Sequence, residues 1–160
     1  MKKNFKRIQK GFTLIELLVV VGILAVLLTI TLVAVNPARN FQQTNNVKRQ
    51  ADVNAILGAV SQYIADNKGG LPPTVVAGTT DMAIGSAIGG TLPAFCTAIV
   101  QKYIAAFPVD PKAVGVGYVD CNSYATGYTI SVSTPAANDT PRITIKAPLA
   151  ELTQTISVTR

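Results

Sequence analysis

The sequence predicts an α+β chain. One long amino-terminal α-helix, with a transmembrane half and an amphipathic half, packs on a small antiparallel β-sheet head. Three observations predict it. Residues 12–35 form an apolar run of 24 residues with a single charge, Glu16. Val53, Ile56, Leu57, Val60 and Ile64 recur at helical spacing on one face. Tyr128, Ile130 and Val132 alternate with Thr129, Ser131 and Ser133, and Ile143 and Ile145 alternate with Thr144 and Lys146. That period of two is the pattern of half-buried strands.

The apolar run is long enough to cross a bilayer with some tilt, roughly 36 Å as a helix. It follows a basic leader: residues 1–11 hold Lys2, Lys3, Lys6, Arg7 and Lys10 and no acid. These cations place the leader on the cytoplasmic side and the body outside. They also account for most of the net charge of +6. Of 14 basic residues, 5 lie in the leader, which leaves 9 against 8 acids in the body. A body this near neutral has no basic footprint for nucleic acid. The chain has no histidine, so it lacks the commonest general base and metal ligand.

Glu16 is the anomaly in the span. A charge at the centre of a membrane helix costs from roughly 2.5–3.5 kcal/mol upward, and less near the interface. A cleaved secretory signal fits poorly, because its apolar core is shorter and ends in a small-residue site. A plain signal anchor fits the length and charge but leaves Glu16 unexplained. A third reading puts Glu16 at the helix start, where the helix dipole favours an acid.

The junction Lys10-Gly11-Phe12-Thr13-Leu14-Ile15-Glu16, set between basic leader and apolar run, resembles that of the type IV pilin and pseudopilin superfamily, whose precursors carry class III signal sequences. The segment Asn36-Pro37-Ala38, then Arg49-Gln50-Ala51-Asp52, Tyr63 and Gly70-Leu71-Pro72, is also similar to bacterial pilin-like proteins. The resemblance reaches about residue 73. It implies the pilin fold, cleavage by a prepilin peptidase between Gly11 and Phe12, and N-methylation of Phe12. It also implies a partner for Glu16: cleavage creates an α-ammonium on Phe12, and an assembled neighbour's amino terminus would pair with the carboxylate. The alternative is pairing with its own Phe12 across one helical turn.

On this basis the chain divides into a leader (1–11), a transmembrane and filament-core helix (12–35), an amphipathic helix (36–68) and a globular head (69–160). Pro37 is a candidate bend or the end of the span, and Gly22 a weak point or a place of close helix packing. The Val53–Ile64 stripe faces the sheet, with Asp52, Asn54, Gln62 and Asp66 mainly elsewhere. Asn67-Lys68-Gly69-Gly70-Leu71-Pro72-Pro73 stops the helix. Residues 74–91 read as a surface loop. Leu92 to Phe107 reads as a short helix with Phe95, Ile99, Tyr103 and Ile104 inward, stopped by Pro108. Pro108-Val109-Asp110-Pro111 reads as a turn, similar to one that precedes the sheet in many pseudopilins and pilins. Ala136-Ala137-Asn138-Asp139-Thr140-Pro141 turns between two strands, and Ile156 and Val158 add a third.

Catalytic chemistry has no foothold here. The sequence contains no phosphate loop, nucleophile elbow or Cys/His metal spacing. Asp110, Asp120, Asn122 and Asp139 offer oxygens of the kind calcium accepts, but their spacing fits no loop motif, and solvated turn residues explain them as well. No cofactor or metal site is expected. Cys96 and Cys121 either pair in an oxidising compartment or remain two buried thiols. A disulfide here closes a loop of about 25 residues and contributes roughly 3 kcal/mol.

The resemblance implies a structural filament subunit, not an enzyme. Its partners would be copies of itself in a helical homopolymer, the membrane, a prepilin peptidase, an assembly ATPase, a platform membrane protein and minor pilins. The precursor would be a single-pass protein of the cytoplasmic membrane, and the assembled form an extracellular pilus or periplasmic filament. A pseudopilin of a type II secretion system and a DNA-uptake pilin are the alternatives.

Overall fold

The computed structural model describes residues 11–87, 90–135 and 139–160. The leader cations therefore lie outside the described residues, as does the first half of the expected 136–141 turn, residues 136–138. The chain forms two compact units, residues 1–40 and 41–160.

The first unit contains helix α1 (Leu14–Val35). Leu18, Val19, Leu24, Leu27 and Leu32 are all exposed, as is every other large apolar residue described along it. The two threonines among them are satisfied locally. Thr29 donates its hydroxyl to the Ala25 carbonyl at 2.8 Å, and Thr31 donates to the Leu28 carbonyl at 2.9 Å. Such internal bonding lets a hydroxyl sit in an apolar helix without an orphaned donor. Helix α1 ends at Asn36, which adopts a left-handed conformation with φ 42°. Asn36 then caps the next helix, its side-chain oxygen accepting from the Arg39 N–H at 3.2 Å. Pro37 is the first residue of that helix, α2 (Pro37–Asp66). The missing N–H of proline costs nothing at a first helical position. One residue, Asn36, thus interrupts what the sequence suggests as a continuous helix, and Pro37 opens a helix rather than kinking one.

The second unit is an antiparallel sheet of five strands with helical cover. The strands are β1 (Met82–Gly85), β2 (Gly117–Asp120), β3 (Ser123–Val132), β4 (Ile143–Ala147) and β5 (Ile156–Thr159). Their order is β1-β3-β4-β5, and β2 pairs with the first half of β3. Ile130 of β3 stands opposite Met82 and Ile145, and Ile145 stands opposite Val158. One continuous core joins Val53, Ile56, Leu57 and Val60 of α2 to Tyr128, Ile130, Val132 and Ile145 of the sheet. Asp52 and Arg49 extend the buried stripe of α2 toward its start. Gly69, at φ 89°, accepts the left-handed turn that ends α2, and its N–H reaches the Ile64 carbonyl at 2.8 Å.

Three expectations are corrected. Residues 74–91 are not only loop: β1 lies within them, and Val75, Ile84 and Thr91 are buried. A strand of four residues that begins Met-Ala shows no clear alternation, and pairing with β3 holds it in place. The helix expected over residues 92–107 is α3 (Leu92–Ile99) alone. Gln101 turns left-handed at φ 70°, and its N–H donates to the Ile104 carbonyl at 2.7 Å. A helix running to Phe107 would hold Phe95 and Phe107 roughly 18 Å apart along its axis. Instead their rings stack at 5.6 Å, and Phe107 stacks in turn on Tyr124 at 5.7 Å. Asp52 does not lie away from the buried face of α2. It is buried and accepts the Tyr128 hydroxyl at 2.7 Å. Burial, and then that acceptor, push the Tyr128 phenol upward.

Candidate processing and assembly site

Gly11, Phe12, Thr13 and Glu16 lie at the start of α1, and the local hydrogen bonds define where that helix begins. Thr13 is the N-cap, with extended backbone at φ −81° and ψ 151°. Its hydroxyl accepts the Glu16 N–H at 3.3 Å. In return, the Thr13 N–H and the Thr13 hydroxyl both donate to Glu16 Oε2, each at 2.8 Å. This is a capping box, in which two otherwise unpaired amides at a helix start are satisfied reciprocally. Glu16 is the third residue of the helix, where the dipole favours a negative charge. The helix-start reading of Glu16 thus describes this unit, with the helix opening at Leu14 rather than Phe12.

Gly11 and Phe12 precede the cap and are outside the helix. Phe12 is 86% exposed. A Cβ built on Gly11 would meet nothing within 4 Å. Among the described residues nothing makes a steric demand for glycine at this position. Thr13 takes part in the site although the family resemblance assigns it no role. Its signal is present in the sequence, because Thr-x-x-Glu before an apolar run is the spacing of a capping box.

In the head, Cys96 of α3 and Cys121 at the tip of the β2–β3 hairpin form a disulfide, with Cα atoms 5.2 Å apart. Asp120 prepares the hairpin turn by accepting the N–H groups of Asn122 and Ser123 at 2.8 and 2.9 Å. Asp110 occupies a different place and has a different task. Its carboxylate grips Arg49, while Asp139 bonds locally to the Thr140 N–H. The oxygens that the sequence offers as calcium candidates are thus dispersed. Among the described residues, no group of three or more His, Cys, Asp or Glu is placed to hold a metal ion.

The Arg49 cluster is the main polar feature of the head. Arg49 Nη1 also donates to Asn46 Oδ1 at 2.9 Å and to Glu151 Oε2 at 3.0 Å. Glu151 accepts further from Asn45 and Lys112. Burial works against the charge on Asp110, but Arg49 and the Lys112 and Ala113 N–H groups outweigh it and hold the carboxyl below its usual range. Glu151 is held low chiefly by Asn45, with Arg49 and Lys112 adding to it. Asp110 raises the Arg49 guanidinium. This cluster ties α2 to the turns at 109–113 and 148–154. Arg49 lies four residues before Val53, so it continues the apolar stripe of α2, and that register is the signal the sequence carries.

Residues 6–32 match the family model of the prokaryotic N-terminal methylation motif. No curated protein and no solved structure matches the chain. The motif match and the exposed apolar helix support the type IV pilin and pseudopilin superfamily as the class of this protein. The match covers the leader junction and most of α1, and its first residues, 6–10, lie outside the described part.

Proposed function

We propose that this chain is a structural subunit of a type IV pilus or a related filament. A prepilin peptidase cuts between Gly11 and Phe12 and methylates the new terminus, and the subunit then polymerises through α1. The observation that carries this reading is the combination at the start of α1: an exposed Gly11–Phe12 bond, a Glu16 carboxylate, and a helix whose described large apolar side chains are all exposed. An apolar surface of that size requires lipid before assembly and other copies of the helix after it. Glu16 favours docking in register, because a neighbouring Phe12 ammonium would neutralise it where both charges are costly.

In this reading the membrane holds the precursor with the head outside. The assembly ATPase, platform protein and minor pilins act on it as partners. The head supplies the filament surface. A pseudopilin of a type II secretion system is the second reading, and the Pro108-Val109-Asp110-Pro111 turn favours it. Electron microscopy of surface filaments with mass spectrometry of their subunit tests the proposal. Long fibres of a chain beginning at methylated Phe12 are expected. A subunit that retains residues 1–11 in such fibres overturns the processing step, and short periplasmic assemblies alone transfer the assignment to the secretion pseudopilin.

A further inference from the structure

We propose that Thr13 is the residue that positions the scissile bond, a proposal that rests on cleavage between Gly11 and Phe12. Three side-chain hydrogen bonds fix the first turn of α1, and all three join Thr13 to Glu16. Thr13 itself is extended, and the helix begins only at Leu14. The Gly11–Phe12 peptide is thereby left two residues outside the helix. A peptide bond inside a helix has its carbonyl and N–H committed to the helical ladder and is screened by neighbouring turns. A bond in open backbone can enter a peptidase cleft and present its carbonyl to water.

The placement matters because the start of α1 has a competing solution. A helix leaves four unpaired N–H groups at its start. Near hydrocarbon, each unpaired amide is costly. Without the Thr13 box, winding one more turn backward is the simplest way to pair them. That turn takes in Phe12 and Gly11. The box satisfies the amides from side chains instead and so stops the helix short of the cut. Hydrolysis then adds water across the exposed bond. The C–N bond breaks, Gly11 keeps a carboxylate, and Phe12 takes the protons of an ammonium. That ammonium is formed next to the residue whose N–H already holds Glu16.

The test uses the full chain in detergent micelles with a prepilin peptidase, reading initial cleavage rates by mass spectrometry. Thr13→Val keeps the branched shape and removes the cap. Thr13→Ser and Thr13→Asn keep a capping oxygen on different side chains. Cleavage of Thr13→Val is expected to slow about fivefold, the size of a lost N-cap. The Ser and Asn variants are expected to stay within about twofold of the parent, because both remain good caps. Amide hydrogen exchange on the uncut chains reads the position directly: protection at position 15, whose N–H would donate to the Gly11 carbonyl in a longer helix, should rise in Thr13→Val and not in Thr13→Asn. A Thr13→Val chain cut at the parental rate overturns the proposal. An Asn variant as slow as the Val variant also overturns it, since the peptidase would then be reading threonine itself. A parent chain that the peptidase leaves whole overturns the cleavage reading along with it.

Discussion

Arg49 and Asp110 meet fork to fork in the interior of the head. Arg49 Nε lies 2.7 Å from Asp110 Oδ2, and Nη2 lies 3.2 Å from Oδ1, with both side chains fully buried. They are 61 positions apart, so this pair joins helix α2 to the turn before the sheet. Removing one partner leaves the other charge buried and unpaired, which typically costs about 3–5 kcal/mol. Asp110→Ala should therefore lower the unfolding free energy of the head by about that much, read by denaturant titration of the full chain in detergent. A loss below about 1 kcal/mol would mean that water reaches Arg49 in the variant.

The same cluster sets a pH dependence. Asp110 and Glu151 are both held below their usual values of 3.8 and 4.5 in the folded chain. A carboxyl lowered by folding contributes stability that is fully present above its unfolded value and is lost as pH falls through its folded value. The melting temperature should thus be flat near neutrality and fall as pH drops below about 4. Asp110→Ala should blunt that decline, and an unchanged acid limb in the variant would assign the acid response to other carboxylates.

The disulfide makes a separate prediction. Cys96 and Cys121 are 25 residues apart, a loop whose closure contributes roughly 3 kcal/mol. The double variant Cys96→Ala, Cys121→Ser should melt roughly 10 °C lower by circular dichroism. The parent chain should show the same drop when a reductant is added, and no further drop should appear in the double variant.

Glu16→Ala loses the return half of the capping box but keeps the Thr13 hydroxyl on the residue-16 N–H. Cleavage between Gly11 and Phe12 should therefore still occur, slowed by no more than about fivefold, while filament yield falls at least about tenfold, as expected if one buried charge pair orders assembly. Mass spectrometry of membranes reads the first, and electron microscopy of sheared filaments the second. Normal yield from this variant would remove Glu16 from assembly.

Gly11→Leu should accumulate full-length precursor in the membrane, visible as a slower band on a gel. The head should remain as stable as the parent, because Gly11 belongs to the other compact unit and a Cβ there meets nothing among the described residues. Mature-sized product from this variant would place the requirement for glycine elsewhere.

Periodic elements are legible in the amino-acid sequence alone. The stripe Val53–Val60 and the alternation in β3 and β4 each repeat within a few residues, at the period of the element they form, and the apolar run of α1 is legible by its unbroken length. The glycine stop after Asp66 is equally local. Short elements without a period are not legible in this way. Strand β1 has four residues and is held by pairing with β3 and by bonds to Gly90 and Thr91. The end of α3 depends on Phe107 returning to stack on Phe95.

The sequence by itself determined the apolar amino-terminal helix and the α+β layout that follows it, because hydrophobic content and period are properties of neighbouring residues. It also contained the Thr13–Glu16 spacing, since a capping box is complete within four residues. Only the tertiary structure decided where the isolated charges of the head went. Asp52 found Tyr128, 76 positions away, and Arg49 found Asp110 and Glu151. A buried charge is tolerated only beside its partner, and which partner arrives is settled by how the helix lies on the sheet.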